Sequence, residues 1–185
     1  DMVVHNSDQF QILKDNNFYN NLWLKINTGM NRLGFEIKEF LEIYDEHLHD
    51  KKFTLMTHLA ASNDKDSLSN KNQFKLFDDL SKKMNKDVDL SIANTGCVMN
   101  FPEYTYDWVR CGIGIYGGYF KDQEIKTAMT LRSPIVNIRQ IKKGERVGYD
   151  GRAEAQDNMS IATVYLGYAD GLPLKIKDGT SVIIN

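Results

Sequence analysis

The chain has 185 residues and a mass of 21.3 kDa, the length of one ordinary domain or a little more. Its 42% hydrophobic and 26% charged residues describe a globular chain with a sizeable core, and 23 basic against 25 acidic residues exclude a general pull toward nucleic acid or an anionic membrane. No apolar run reaches the roughly 18–20 residues of a spanning helix, DMVVHNSDQF lacks the segments of a signal peptide, and two cysteines, Cys97 and Cys111, exclude a disulfide scaffold or a structural zinc site and point to a reducing compartment.

In chain order, residues 7–15 predict a short helix with Ser7 as N-cap. NLWLKI (21–26) predicts a short buried strand running into a Gly turn. Residues 36–49 carry Ile37, Phe40, Leu41, Tyr44 and Leu48 at helical spacing. FTLMTH (53–58) predicts a second strand. Residues 72–84 place Phe74, Phe77, Leu80 and Met84 on one helical face, DLSIA (89–93) predicts a third strand, and WVR (108–110) opens a fourth. This strand–helix alternation over about the first 120 residues predicts βα units and a parallel sheet.

Beyond about residue 122 the helical period is lost. Residues 129–141, a KKGE turn, 146–151, 159–168 and TSVII (180–184) are β-rich. Two regions are therefore expected, 1–122 and 123–185, with no internal repeat. The start at Asp1 without Met and the stop inside a strand-like apolar run suggest a piece of a longer protein, the alternative being a processed chain with a docked C-terminal strand.

Several polar residues follow the strands, where α/β folds place their chemistry. Lys25 ends the first strand; buried, it must be paired or neutralised, unless it snorkels out. TGMNRLG (28–34) is a Gly-bounded loop that either aims Arg32 at a ligand or simply exposes it. His58 is a proton shuttle, an orienting partner, or an ordinary satisfied histidine. Asn94 and Thr95 open a short helix, and CGIGIYGG follows Arg110; both stretches offer backbone N–H groups to a phosphate, although Gly-rich turns are common. Tyr149, beside Gly148 and near Gly151, is an exposed catalytic phenol or a hairpin aromatic. GYADGLP (167–173) carries Tyr168 and Asp170, or is a plain turn.

LKINTGMNRLGF (24–35), THLAASND (57–64), SIANTG (91–96), FPEYTYDWVRCGIGIYG (101–117), IKKGERVGYDG (141–151) and GYADGLP (167–173), in this order, resemble the alanine racemases of fold-type III. The resemblance runs through nearly the whole chain. It implies the second half of a (β/α)8 barrel followed by the start of a β-rich C-terminal domain. It also implies pyridoxal 5′-phosphate (PLP) as cofactor, alanine as substrate, and a cytoplasmic homodimer whose active sites are shared between subunits. The lysine that attaches PLP covalently has no counterpart here, since no VKANAYGHG-like stretch is present.

Roles follow from the resemblance position by position. Lys25 matches a lysine that is often carbamylated and then pairs with Arg32, and Arg32 contacts the PLP phenolic oxygen and the substrate side. Arg110 faces the pyridine nitrogen. Asn94, Thr95, Gly112 and Ile113 map to the phosphate cradle. His58 links Arg110 to Tyr149 of the other subunit. Tyr149 is one of two bases and Tyr168 lines the substrate entrance. No metal is implied. A tyrosine with an ordinary pKa of roughly 10 is a poor base at neutral pH and needs cations to lower it.

The departures are Asn27 for a usual Asp, Thr95 for a common Ser, Cys111 for a Pro or Phe, and Leu174 for an Arg. The function implied is interconversion of L- and D-alanine, supplying D-alanine for peptidoglycan. The alternatives are a racemase of serine or lysine and a non-catalytic PLP-binding barrel; Tyr149 and the β region argue against the latter. The 185 residues alone are expected to be inactive, and half a barrel exposes sheet edges that favour self-association or poor solubility.

Overall fold

Leu22 and Leu24 point into the core from one side of a short strand and leave almost no surface exposed, as expected for parallel strands covered on both faces. This strand is β2 (Leu22–Lys25) in a computed structural model that describes residues 1–85, 87–118, 125–176 and 179–184. It pairs in parallel with β1 (Met2–Val4) on one side and β3 (Thr54–Met56) on the other, and β3 pairs in parallel with β4 (Asp89–Ser91). The order β1-β2-β3-β4 follows the chain, which is how successive βα units add to a barrel. Beyond β4, Arg110 makes an isolated parallel bridge to Asn94.

The helices pack one face on this sheet. Helix α1 (Ser7–Asp15) buries Phe10 and Leu13. Its N-cap is Asn6 rather than Ser7: the Asn6 side chain accepts from the Gln9 N–H, while the Ser7 hydroxyl bonds Glu39. Helix α2 (Ile37–Ile43) continues into a π-helical stretch (Tyr44–Leu48), so the expected single helix is split. The wider turn keeps Phe40, Tyr44 and Leu48 buried together, with Phe40 and Tyr44 both packing on Phe53. Helix α3 (Leu68–Ser81) starts four residues earlier than its apolar period predicts, after Ser67. Its buried stripe is Asn70, Gln73, Phe74, Phe77 and Leu80. Two members are polar, which is why an apolar count misses the first turns. Helix α4 (Thr95–Asn100) is short and capped by Asn94.

Strand β1 was not expected. Three residues with only Val4 buried leave little period to read; pairing with β2 makes it a strand. The expected fourth strand at 108–110 contracts to the Arg110 bridge.

Contacts divide the chain into Asp1–Met129 and Thr130–Asn185. The boundary expected between 122 and 123 lies outside the described residues. In the second unit, β5 (Ile135–Ile141) pairs antiparallel with β8 (Met159–Val164), and β6 (Arg146–Val147) pairs with β7 (Ala153–Glu154). Residues 180–184, read as a strand, have no regular structure: no partner strand is registered for them among the described residues.

Candidate functional site

The carboxyl ends of β2, β3 and β4 bring the polar residues together. After Lys25, the backbone leaves the sheet at Ile26 and rejoins at Phe35, which form a parallel bridge and are both buried. The intervening loop carries Arg32, exposed. Asn27 shapes this loop. Its Oδ1 accepts the N–H groups of Gly29 and Asn31, each at 3.1 Å, and its Nδ2 donates to Asn31 Oδ1 (3.0 Å) and Glu36 Oε1 (2.9 Å). Gly34 has φ +126°, and a Cβ there would sit 2.6 Å from the Asn27 nitrogen, so only glycine closes the loop.

Arg110 spans the next two strand ends. Its guanidinium donates to Ser91 Oγ at the end of β4, to the Thr57 carbonyl just after β3, and to His58 Nδ1 at 3.4 Å. Its own N–H donates to Ala93 O at 2.8 Å. Burial pushes the guanidinium down to about 10, so it stays charged at neutral pH. Burial, then the positive charges of Arg110, Arg32 and Lys25, push His58 down to about 4. His58 is therefore neutral at pH 7, and because Nδ1 accepts from Arg110, its proton sits on Nε2. Lys25 is 8% exposed and is lowered first by burial, then by Arg32 and Arg110. Among the described residues, no ion pair involves Lys25, Arg32 or Arg110. Three cations thus converge without a carboxylate, an arrangement that selects an anionic ligand or an anionic modification.

Asn94 and Thr95 are held by their side chains. Asn94 Oδ1 accepts from the Cys97 N–H (3.0 Å) and Ser62 Oγ (2.7 Å). Thr95 Oγ1 accepts the Gly114 N–H at 3.2 Å, and a Cβ on Gly114 would lie 2.7 Å from Thr95 Cγ2. Thr95 therefore pins the start of α4 against the Gly-rich turn, while Asn94 caps the helix and ties it to Ser62. Gly112 has open space where a Cβ would be, and Ile113 is 52% exposed, so that side of the turn is accessible. Cys97 behind it is fully buried, and burial pushes its thiol up to about 11.

Tyr149 and Tyr168 belong to the second unit and are both exposed. Tyr149 starts a 3-10 turn whose positive φ at Gly148, Asp150 and Gly151 thrusts the ring outward. Arg146 braces the turn through Gly151 O (3.0 Å) and Glu154 (2.9 Å). Tyr168 starts a second 3-10 turn, closed by Asp170 accepting from the Gly167 N–H at 2.9 Å.

Sequence reasoning passed over Thr28, Thr57, Ser91 and Gln73, all buried. Gln73 alone carried a signal, a polar residue directly before Phe74 in an amphipathic helix.

Residues 1–120 match the family model for the alanine racemase N-terminal domain, and residues 128–185 match the one for its C-terminal domain. The chain belongs to the alanine racemase family. It is 35% identical to the alanine racemase of Alteromonas mediterranea over 99% of this chain and 53% of that protein. The biosynthetic alanine racemase of Pseudomonas aeruginosa superposes with a TM-score of 0.84 at 28% identity, over 97% of this chain and 52% of that one. The Bartonella henselae alanine racemase, solved with covalently bound pyridoxal phosphate, gives 0.71 at 25% identity, over 90% of this chain and 48% of that one. The chain thus spans about half the length of the relatives it matches. Its parallel sheet and following β-rich unit are the barrel half and the opening of the C-terminal domain that the racemase resemblance implied. Among the described residues there is no group of three or more His, Cys, Asp or Glu side chains able to hold a metal, and no helix long and apolar enough to cross a membrane.

Proposed function

We propose that the full-length protein is a PLP-dependent alanine racemase. The observation that carries this reading is the convergence of Lys25, Arg32 and Arg110 on neutral His58 with no paired carboxylate among the described residues, in a chain of this family. Such a site fits an anionic, planar cofactor. Arg110 would face its ring nitrogen, Arg32 its phenolic oxygen, and Asn94, Thr95, Gly112 and Ile113 would frame its phosphate, with the Asn94 and Thr95 side chains shaping the cradle. PLP supplies the electron-withdrawing system that makes the substrate α-proton acidic.

The chain's own residues then limit and direct that chemistry. Arg110 stays protonated, so it donates a hydrogen bond without surrendering its proton, which limits charge delocalisation onto the ring nitrogen and favours simple reprotonation. His58 receives from Arg110 at Nδ1 and offers Nε2–H onward. The site is proposed to be shared within a homodimer, with Tyr149 and Tyr168 coming from the partner copy. Tyr149 acts as one base, and a lysine outside these 185 residues acts as the other, on opposite faces of the α-carbon. The exposed Tyr149 phenol on its braced turn supports a role toward another surface. A carbamate on Lys25 would turn a buried cation into an anionic partner for Arg32. The protein is proposed to be cytoplasmic and to supply D-alanine for peptidoglycan.

The test is a coupled assay of L-alanine to D-alanine conversion with added PLP, on the full-length protein beside the 185-residue chain. We expect turnover by the former and none by the latter. An inactive full-length protein overturns the racemase reading, and turnover of serine or lysine in preference to alanine moves the substrate.

A further inference from the structure

Gln73 is 1% exposed, yet it is polar and faces the sheet from the middle of α3. Its amide is fully used. Nε2 donates to Thr28 Oγ1 at 3.1 Å and to the His58 carbonyl at 3.0 Å, and Oε1 accepts the Ala60 N–H at 2.9 Å. Thr28 opens the loop that carries Arg32, while His58 and Ala60 follow β3. One side chain therefore ties together two neighbouring strand-end loops.

The hydrogen bonds also have a single direction. Thr57 has one hydroxyl proton and gives it to the Ile26 carbonyl at 2.8 Å. In the 2.8 Å contact between the Thr28 and Thr57 hydroxyls, Thr28 must therefore donate. Thr28 is then free to accept from Gln73. The chain runs from the Gln73 amide to Thr28, to Thr57 and to the Ile26 carbonyl, back on the β2 side. The same Thr57 receives Arg110 at its backbone carbonyl. Position 73 must supply two donors and one acceptor. An amide does so; a carboxylate supplies no donor and a leucine supplies nothing.

We propose that Gln73 is a positioning residue that sets the register between the Arg32 loop and the His58–Arg110 pair, and so the convergence of the cations toward the cofactor. This rests on the racemase reading above.

The experiment uses the full-length protein and four variants: Gln73→Leu, Thr28→Val, Thr28→Ser and Phe77→Leu. The last removes core packing from the same helix without touching the network and controls for lost stability. Thr28→Val breaks the same chain from its other end, so the idea stays testable if Gln73→Leu folds poorly. Two quantities are read: the His58 titration in the PLP-free protein by NMR, and the affinity for added PLP. Loosening the register hydrates His58 and withdraws it from Arg110, so its titration should rise from about 4 toward the ordinary 6.5 in Gln73→Leu and Thr28→Val. PLP affinity should fall about tenfold in both, the scale expected of a small misplacement of binding groups. Thr28→Ser, which keeps the hydroxyl, should restore the wild-type titration. The proposal is overturned if neither Gln73→Leu nor Thr28→Val moves the two readings, or if Phe77→Leu moves them as far. The His58 titration needs no turnover, so a wild-type protein that fails to racemise alanine would sink the functional reading and leave the positioning claim to be judged separately.

Discussion

The two units of this chain use apolar residues in opposite ways. In Asp1–Met129, apolar residues from the strands, the loops that follow them and the helices close on one another, and Leu24, Phe40, Leu48, Leu55, Phe77 and Ile92 are wholly buried. In Thr130–Asn185, Ile135, Val136, Ile138 and Val164 lie on the β5–β8 ribbon and are exposed; Ala155 is the one buried apolar residue among those described there. A parallel βα unit brings its own cover, because each crossover helix returns to the sheet. A two-stranded antiparallel ribbon satisfies its inner hydrogen bonds locally but has no second layer. The first unit can therefore hold polar and charged groups in fixed relation, as His58 and Arg110 are held, whereas the second presents Tyr149 and Tyr168 on braced surface turns.

The largest test of this contrast is a pair of truncations. Phe77→Ala should cost about 3–5 kcal/mol in denaturant unfolding of the full-length protein, the usual range for a buried phenylalanine. Ile138→Ala, on the ribbon, should stay within about 0.5 kcal/mol if that face is open in solution as well. A cost for Ile138→Ala near that of Phe77→Ala would show that the ribbon is covered and erase the contrast.

A second test sharpens what burial does in the first unit. His58 binds its proton more weakly when folded, near 4, than at its ordinary 6.5. Between those values the unfolded chain holds the extra proton, so stability is full above about pH 6.5 and falls as the pH drops toward 4. The loss should be on the order of 2–3 kcal/mol over this window, less than the full shift implies because solvent screens a half-buried ring. It should be absent from the pH profile of His58→Gln. A flat pH profile that is identical in the two proteins would mean that His58 is not shielded as described.

The smallest effect concerns Asn27. Asn27→Asp keeps the oxygen that organises the Arg32 loop but loses the amide that donates to Asn31 and Glu36, and it sets a carboxylate against Glu36. We expect a stability loss of about 1 kcal/mol, relieved by adding Glu36→Gln. Equal stability of the single and double variants would remove the pairing as the reason an amide suits this position.

Much of the fold could be read without coordinates. The apolar runs around Leu24, Leu55 and Ile92 mark strands, and the helical faces of Phe40 and Phe74 mark crossovers, because buried faces impose a period on the sequence. What escaped is instructive in each case. Strand β1 exists through its pairing with β2 rather than through a pattern of its own. The cap of α1 moved by one residue, since Asn6 and Ser7 are both good caps and only the backbone turn chooses between them. TSVII has the composition of a strand, but no partner is registered for it among the described residues, and pairing makes a strand.

For the candidate site, residue types and loop spacing were enough to single out Lys25, Arg32, His58, Arg110 and Tyr149, since a lysine in an apolar strand and an arginine between glycines stand out from their neighbours. The strand–helix alternation from β2 to β4 and the family were likewise legible in the sequence alone. Only the tertiary structure decided that Arg110 reaches His58 and Thr57 from more than fifty residues away. It also decided that Gln73, in a helix read as plain packing, binds the loops of Thr28 and His58 together. Periodicity records which face of an element is buried. It does not record which distant strand end that face will meet, and the polarity of a hydrogen-bond chain exists only once donor and acceptor have been brought within reach.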